Sequence, residues 1–266
     1  MLPDHVLLQI FDFYRWNHDP DHYWPSFVLW KWHTLVYVCQ RQRHITFASP
    51  LCLNLRVLCT YSTPVRKSID IWPNFPIVIG YSAYRRPGGL APIDEGNVIA
   101  ALEHTSCVCE IWLRSATGTQ LSRIATVIQK PSPALTHFIL QSKDRNVPVI
   151  PSQFLGQSVP CLQELILDAI PFPALLILLL SASNLIALKL YNIPQTSYIL
   201  PEAMVAGLAT LTRLRHLHIG FQLPNSCPDQ ICLPPTTCTV LLALISFFFH
   251  GVCKYLEDFA AQIDTP

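Results

Sequence analysis

Beyond residue 100 the pattern Leu-x-x-Leu-x-Leu, with other apolar residues allowed at the same three places, recurs along the chain. Its occurrences are Val108/Ile111/Leu113, Leu135/Phe138/Leu140, Leu162/Leu165/Leu167, Leu185/Leu188/Leu190, Leu214/Leu217/Ile219 and Leu244/Phe247/Phe249. Their middle positions lie 27, 27, 23, 29 and 30 residues apart. A short strand with one apolar face cannot bury that face alone. Recurrence at this spacing therefore predicts strand units stacked side by side around a shared core.

Helical periodicity precedes most of these strands. Asp94 can cap a helix carrying Val98, Ile99 and Leu102; Leu121, Ile124, Ala125 and Ile128 form a second; Pro201-Glu202 opens a third with Met204, Val205, Leu208 and Leu211. Leu256, Phe259, Ala260 and Ile263 form a final helical pattern, a partial cap. Leu51 to Val57 and Pro76 to Tyr81 are earlier strand candidates. The alternation predicts an α/β fold, with parallel strands on the inside of a curve and helices outside. Internal repetition is visible in detail: Leu165-Ile166-Leu167-Asp168-Ala169-Ile170-Pro171 is echoed by Leu188-Lys189-Leu190-Tyr191-Asn192-Ile193-Pro194. The period resembles that of an irregular leucine-rich-repeat solenoid. The Asn or Cys that such repeats place after the last Leu is replaced here by residues such as Ile170 and Ile193. An ordinary α/β domain with several parallel strands is the alternative.

The N-terminal stretch has a different character. Pro3 and Asp4 suit the start of a helix, and Val6, Leu7, Ile10, Phe11 and Tyr14 recur on one face of it. After a Trp- and His-rich stretch from Trp16 to Trp32, a second helix places Leu35, Val38 and Cys39 together and runs into Arg41-Gln42-Arg43-His44. Ile45 and Phe47 follow, and Ser49-Pro50 stops it. Leu2-Pro3, the apolar helix, then Leu35, Val38, Cys39 and the Arg resemble an F-box over residues 1–49. Gln42 stands where that family often has Trp, and the stretch between the helices is longer than usual. The bland alternative is a helical hairpin buried on its own core.

An F-box followed by irregular leucine-rich repeats is similar to a large class of fungal F-box proteins. The resemblance implies a module at 1–49 and a solenoid at 50–266. It implies a Skp-type adaptor, and through it a cullin-RING ubiquitin ligase, bound by Leu2, Pro3, Val6, Leu7, Ile10, Phe11, Leu35, Val38 and Cys39. The repeats would then hold a protein substrate. A repeat scaffold with no ligase connection is the alternative reading.

Composition excludes several other classes. Net charge is +1, and no basic run extends beyond Arg41–His44 and Arg85-Arg86, so no phosphate-backbone footprint is present. Ala169 to Leu188 carries no charge over 20 residues, a length that could span a bilayer. Pro171, Pro173, Ser181, Ser183 and Asn184 break it up, and a strand end, a helix over Ala174–Leu180 and a further strand are expected instead. The N-terminus lacks a basic n-region and a small-residue cleavage site. The ten cysteines are scattered, and only Cys227, Cys232 and Cys238 cluster, without zinc-knuckle spacing. Free thiols in a reducing cytoplasmic or nuclear compartment are expected.

No catalytic constellation stands out, and neither enzymatic activity nor a cofactor is expected. Pro76 to Tyr84 resembles a strand entering Gly-x-Ser-x-Gly at Ser82, but Tyr84 replaces the second Gly. Asp94-Glu95 and Glu257-Asp258 are expected at helix ends or on exposed faces. Alternation puts His216 and His218 on one face with His250 nearby, yet no thiolate or carboxylate joins them, so no metal is expected. The same alternation exposes Glu110, Trp112, Arg114, His137, Ile139, Glu164, Ile166, Lys189, Tyr191, His216, His218 and Phe248 on the strands' outward face. Of these, Trp112, Arg114, His137, Glu164, Lys189, Tyr191, His216 and His218 are the candidate substrate contacts, with Trp112 and Tyr191 as anchors.

Overall fold

A computed structural model describes residues 3–7, 9, 40–41, 44–45, 56–60, 65–71, 75–81, 90–144, 149–222 and 239–264. Its centre is an open sheet of eight strands: β1 (Val57–Cys59), β2 (Ile77–Tyr81), β3 (Val108–Ala116), β4 (His137–Ser142), β5 (Glu164–Asp168), β6 (Ala187–Ile193), β7 (His216–Phe221) and β9 (Ser246–His250). Each strand pairs in parallel with the one before it in that list. Spatial order therefore follows chain order, with none of the reversal that defines a doubly wound sheet. β8 (Thr239–Val240) and β10 (Ile263–Asp264) form a separate parallel pair.

Between the strands run α1 (Val65–Ile71), α2 (Pro92–Leu102), α3 (Gly118–Val127), α4 (Leu175–Ser181), α5 (Pro201–Leu208) and α6 (Cys253–Ala260). Their apolar sides meet one face of the sheet. Two rows of side chains run across that face: Cys59, Ile79, Ile111, Phe138, Leu165, Leu188 and Leu217, and beside them Tyr81, Leu113, Leu140, Leu167, Leu190 and Ile219. All of these are buried in one core with Val98, Ile124, Leu178 and Met204 from the helices. Burying a side chain of this size contributes about 1.5–3 kcal/mol, so the repeated leucines are the main source of stability.

The repetition extends to the backbone. The N–H of Thr136 donates to the carbonyl of Cys109, Gln163 to Thr136, Ile186 to Gln163, Arg215 to Ile186 and Ile245 to Arg215, each at 2.8 Å. Each of these residues lies two before the middle position of its apolar triplet. The turn before each of these strands is also the same, with Leu135, Leu162, Leu185, Leu214 and Leu244 each donating to the carbonyl three residues earlier. The echo between residues 165–171 and 188–194 is equally physical. Ala169 (φ 57°) and Asn192 (φ 50°) take the same left-handed conformation at the same offset, and Ile170 and Ile193 after them are buried.

Several local expectations are corrected. The first strand lies at Val57–Cys59, whereas the candidate began at Leu51; residues 51–55 lie outside the described residues. Asp94 is not the cap of α2: Ala91 is, and Asp94, three residues on, accepts a hydrogen bond from the Ala91 N–H at 3.2 Å. Asp94 and Glu95 are buried rather than exposed, and Glu95 holds Arg123 through both carboxylate oxygens, at 2.8 and 3.0 Å. Ile263 belongs to β10 and not to the last helix. The uncharged stretch from Ala169 is the end of the β5 turn, then α4 and the start of β6; among the described residues no helix is long and apolar enough to cross a membrane.

One turn between β4 and β5 is sharply constrained. Leu155, Gly156 and Gln157 are all left-handed, at φ 55°, 56° and 55°, and the Leu155 N–H is tied to the Ile128 carbonyl at 2.8 Å. A Cβ at position 156 would sit 2.5 Å from the Pro131 nitrogen, closer than real Cβ contacts come. Gly156→Ala is expected to cost about 1–3 kcal/mol from backbone strain alone, with the clash adding to it. Urea unfolding measures it; a midpoint equal to that of the parent chain would mean the turn relaxes freely.

Candidate functional site

The face of the sheet turned away from the helices carries the polar and aromatic residues that alternation leaves over. Strand register orders them in rows. One row runs Leu58, Val78, Glu110, His137, Glu164, Ala187, His216 and Ser246. The next runs Gly80, Trp112, Ile139, Ile166, Lys189, His218 and Phe248. The face divides into two sectors of different character.

From β1 to β4 it is closed. Leu58, Val78, Cys109, Trp112 and Ile139 are buried in a second apolar cluster, with Ile166 packed against it. Trp112 is 9% exposed and Glu110 5%. The expectation that Glu110, Trp112 and Ile139 stand exposed is therefore corrected, and Trp112 is a packed core side chain rather than an available anchor. Glu110 pairs with Arg56, accepts the Trp112 indole N–H at 3.0 Å, and lies 3.7 Å from His137 Nδ1. His137 is half-buried, stacked on Trp112 at 6.2 Å between ring centroids and hydrogen-bonded to the Thr136 hydroxyl at 2.9 Å.

From β5 to β9 the face opens. Lys189 Nζ meets Glu164 Oε1 at 2.8 Å, a half-exposed pair worth at most about 1 kcal/mol. Asp168 accepts from the side-chain amides of Gln141, at 2.9 Å, and Asn192, at 2.7 Å. Beyond it three rings line up across three strands: Tyr191 and His218 with centroids 4.2 Å apart, then His218 and Phe248 stacked at 4.5 Å and 19°. Phe248 is 58% exposed. His216 is exposed and shares a hydrogen bond with Ser246 Oγ at 2.9 Å. Arg114 is half-buried on β3.

The structure thus brings together Glu164, Lys189, Tyr191, His216 and His218 of the expected contacts, with His137 beside Glu164 at the border of the closed sector and Trp112 buried within it. Sequence reasoning missed Arg56, the partner of Glu110, and the Gln141–Asp168–Asn192 chain. Register could have found the latter, because Gln141 and Asp168 are direct neighbours.

His218 titrates below the ordinary histidine range. Burial between its two aromatic neighbours is the main cause, helped by His250 and then Lys189. A group with a lowered folded-state value leaves stability intact above its unfolded value, near 6.5, and removes it as pH falls below that. The His218 imidazole is expected to show an NMR midpoint below 6.5, and Lys189→Met to raise it. A midpoint at or above 6.5 would contradict the stacked geometry.

Two thiols of the sheet are muted by their surroundings. Burial pushes the Cys59 and Cys109 thiols up to about 12, so both stay protonated at neutral pH and are poor nucleophiles. Tyr81, hydrogen-bonded to Cys59 at 3.6 Å, is also pushed up by burial. Among the described residues no cluster of three His, Cys, Asp or Glu could hold a metal ion. Ser82 and the Cys227, Cys232 and Cys238 group lie outside the described residues, as do Leu2, Ile10, Phe11, Leu35, Val38 and Cys39. Of the expected adaptor contacts, Pro3 is exposed, Val6 is half-buried, and Leu7 packs against the main core. A cavity beneath α3, lined by Leu121, Ile124, Phe138, Leu140, Phe154 and Ile170, holds about 50 Å³ and is far too small for a substrate. Comparison of the chain with protein-family models, with curated proteins and with solved structures finds no match.

Proposed function

We propose that this chain is a leucine-rich-repeat scaffold that serves as the substrate-recognition subunit of an SCF-type ubiquitin ligase and performs no chemistry itself. The observation that carries the recognition half is the open sector of the sheet, where a row of aromatic rings and a lysine are presented on rigid parallel strands. Aromatic residues on a broad face suit a protein partner; a small ligand would need an enclosing pocket. The ligase half rests on the F-box resemblance of residues 1–49.

Leu7 favours a second reading. Its side chain packs on the same core as the strands, and Asp4 in the same turn pairs with Arg41 at 2.6 Å. An N-terminal helix seated in this way could serve as a cap for the stack, with no ligase connection.

Co-purification with a Skp-type adaptor separates the two. The adaptor is expected to accompany the full chain, and Ile10→Asp, by forcing an unpaired charge into an apolar contact, to remove it from the pull-down. A folded chain that never retains the adaptor leaves the cap reading. The recognition face has its own test: Tyr191→Ala with His218→Ala should weaken substrate capture by about 30-fold, the equivalent of about 2 kcal/mol, while adaptor binding persists. Unchanged capture would place the partner elsewhere.

A further inference from the structure

β9 is the last strand of the sheet among the described residues, with Phe247 stacked on Phe259 of α6 at 5.4 Å. It pairs with β7 on one side, and among the described residues no strand pairs with its other edge. In the core row that runs through Ile111, Phe138, Leu165, Leu188 and Leu217 every side chain is buried, yet Phe247 in the same row is 39% exposed. Ile245 is 70% exposed, and Phe248 and Leu242 are also open. From Thr239 to Phe249 the chain has no charge and no proline, and β9 contains no bulge. Charge, proline and bulges are among the devices that guard natural edge strands against pairing with another chain. β9 carries none of these three.

We propose that a second copy of this chain supplies the missing strand, its β9 running antiparallel to the first about a two-fold axis at Phe248, so that two eight-stranded sheets join edge to edge. The backbone has the right phase for it. The Ser246 N–H donates inward to Arg215. By the alternation of a parallel ladder, Phe247 and Phe249 then direct their N–H and C=O groups to the free edge. A two-fold axis at Phe248 sets Phe247 of each copy against Phe249 of the other, which matches donors to acceptors. Phe248 faces Phe248 as the non-hydrogen-bonded pair, whose side chains come closest. Charge supports self-pairing too, because a two-fold contact opposes like with like, and this strand has no charge to oppose. The His218–Phe248 stack then continues into the second copy.

Sedimentation velocity on the full chain from about 1 to about 100 µM tests the proposal by mass action. A closed dimer is expected. Phe248→Lys and Phe248→Glu should each raise the dimer dissociation constant by about tenfold or more, since like charges then meet at the axis, and an equimolar mixture of the two variants should restore association. Hydrogen exchange on the unaltered chain provides a readout that survives a misfolded variant: the Phe247 and Phe249 amides should exchange more slowly as concentration rises. A monomer throughout, which would leave the edge to a strand of another protein, overturns the proposal. So do amide exchange independent of concentration, a dimer indifferent to Phe248→Lys, and open-ended growth through β1.

Discussion

Phe138→Ala is expected to lower the free energy of unfolding by about 3–5 kcal/mol, among the largest losses available to a single side chain here. Phe138 sits on β4 in the middle of the sheet and is fully buried. Its ring meets Phe154 edge-on at 5.5 Å, and Phe154 meets Phe172 in the same manner at 5.7 Å. The three rings come from β4, from the left-handed turn after it and from the segment leading into α4. They tie successive units together through the core. Truncation therefore removes apolar burial and an aromatic contact, and it leaves a void that close-packed neighbours fill only in part. A domain has about 5–15 kcal/mol of stability in total, so the variant should unfold at far lower urea concentration. A double-mutant cycle with Phe154→Ala should return a coupling of at least about 0.5 kcal/mol. A loss below about 1.5 kcal/mol, outside the range for such truncations, would mean that this column is loosely packed.

The success of the sequence pattern at these positions has a plain cause. Leu135, Phe138 and Leu140, like the equivalent triplets of the neighbouring units, are apolar because the helices cover that face of every strand. Periodicity reports that coverage directly. The last triplet differs because among the described residues no further strand pairs beyond it: Phe247 keeps the pattern and is nevertheless part exposed. Alternation also assigned the opposite face correctly, since Glu110, Trp112 and Ile139 do point away from the helices. It could not say whether anything packs there. Leu58 and Val78, which share that buried cluster, come from the two strands before β3, and no local pattern encodes their meeting with Trp112 and Ile139. Asp94 and Glu95 show the same limit. Their place at a helix start was legible, whereas the long-range partner that allows Glu95 to be buried, Arg123, was not.

Glu110→Ala should cost about 3 kcal/mol, near the lower end of the range for breaking a buried ion pair. The carboxylate is almost fully enclosed, its Arg56 partner about four-fifths enclosed, and the indole N–H of Trp112 depends on the same group. Removing it withdraws the Glu110 carboxylate from Arg56. It also strips a buried donor of its acceptor, worth about 1–3 kcal/mol by itself. Because Arg56 keeps some contact with solvent, the full penalty of a sealed charge is not reached. Glu110→Gln separates the two effects: its side-chain carbonyl can still accept from Trp112 while the ionic attraction is gone, so it should cost less than Glu110→Ala. Arg56→Met combined with Glu110→Leu should recover part of the loss, since apolar replacements of similar volume remove both the charge and its desolvation. Chemical denaturation of the four chains decides the matter. If Glu110→Gln proves as damaging as Glu110→Ala, the ion pair dominates; if neither costs more than about 0.5 kcal/mol, as for an ordinary surface change, the closed sector of the sheet is not closed in solution.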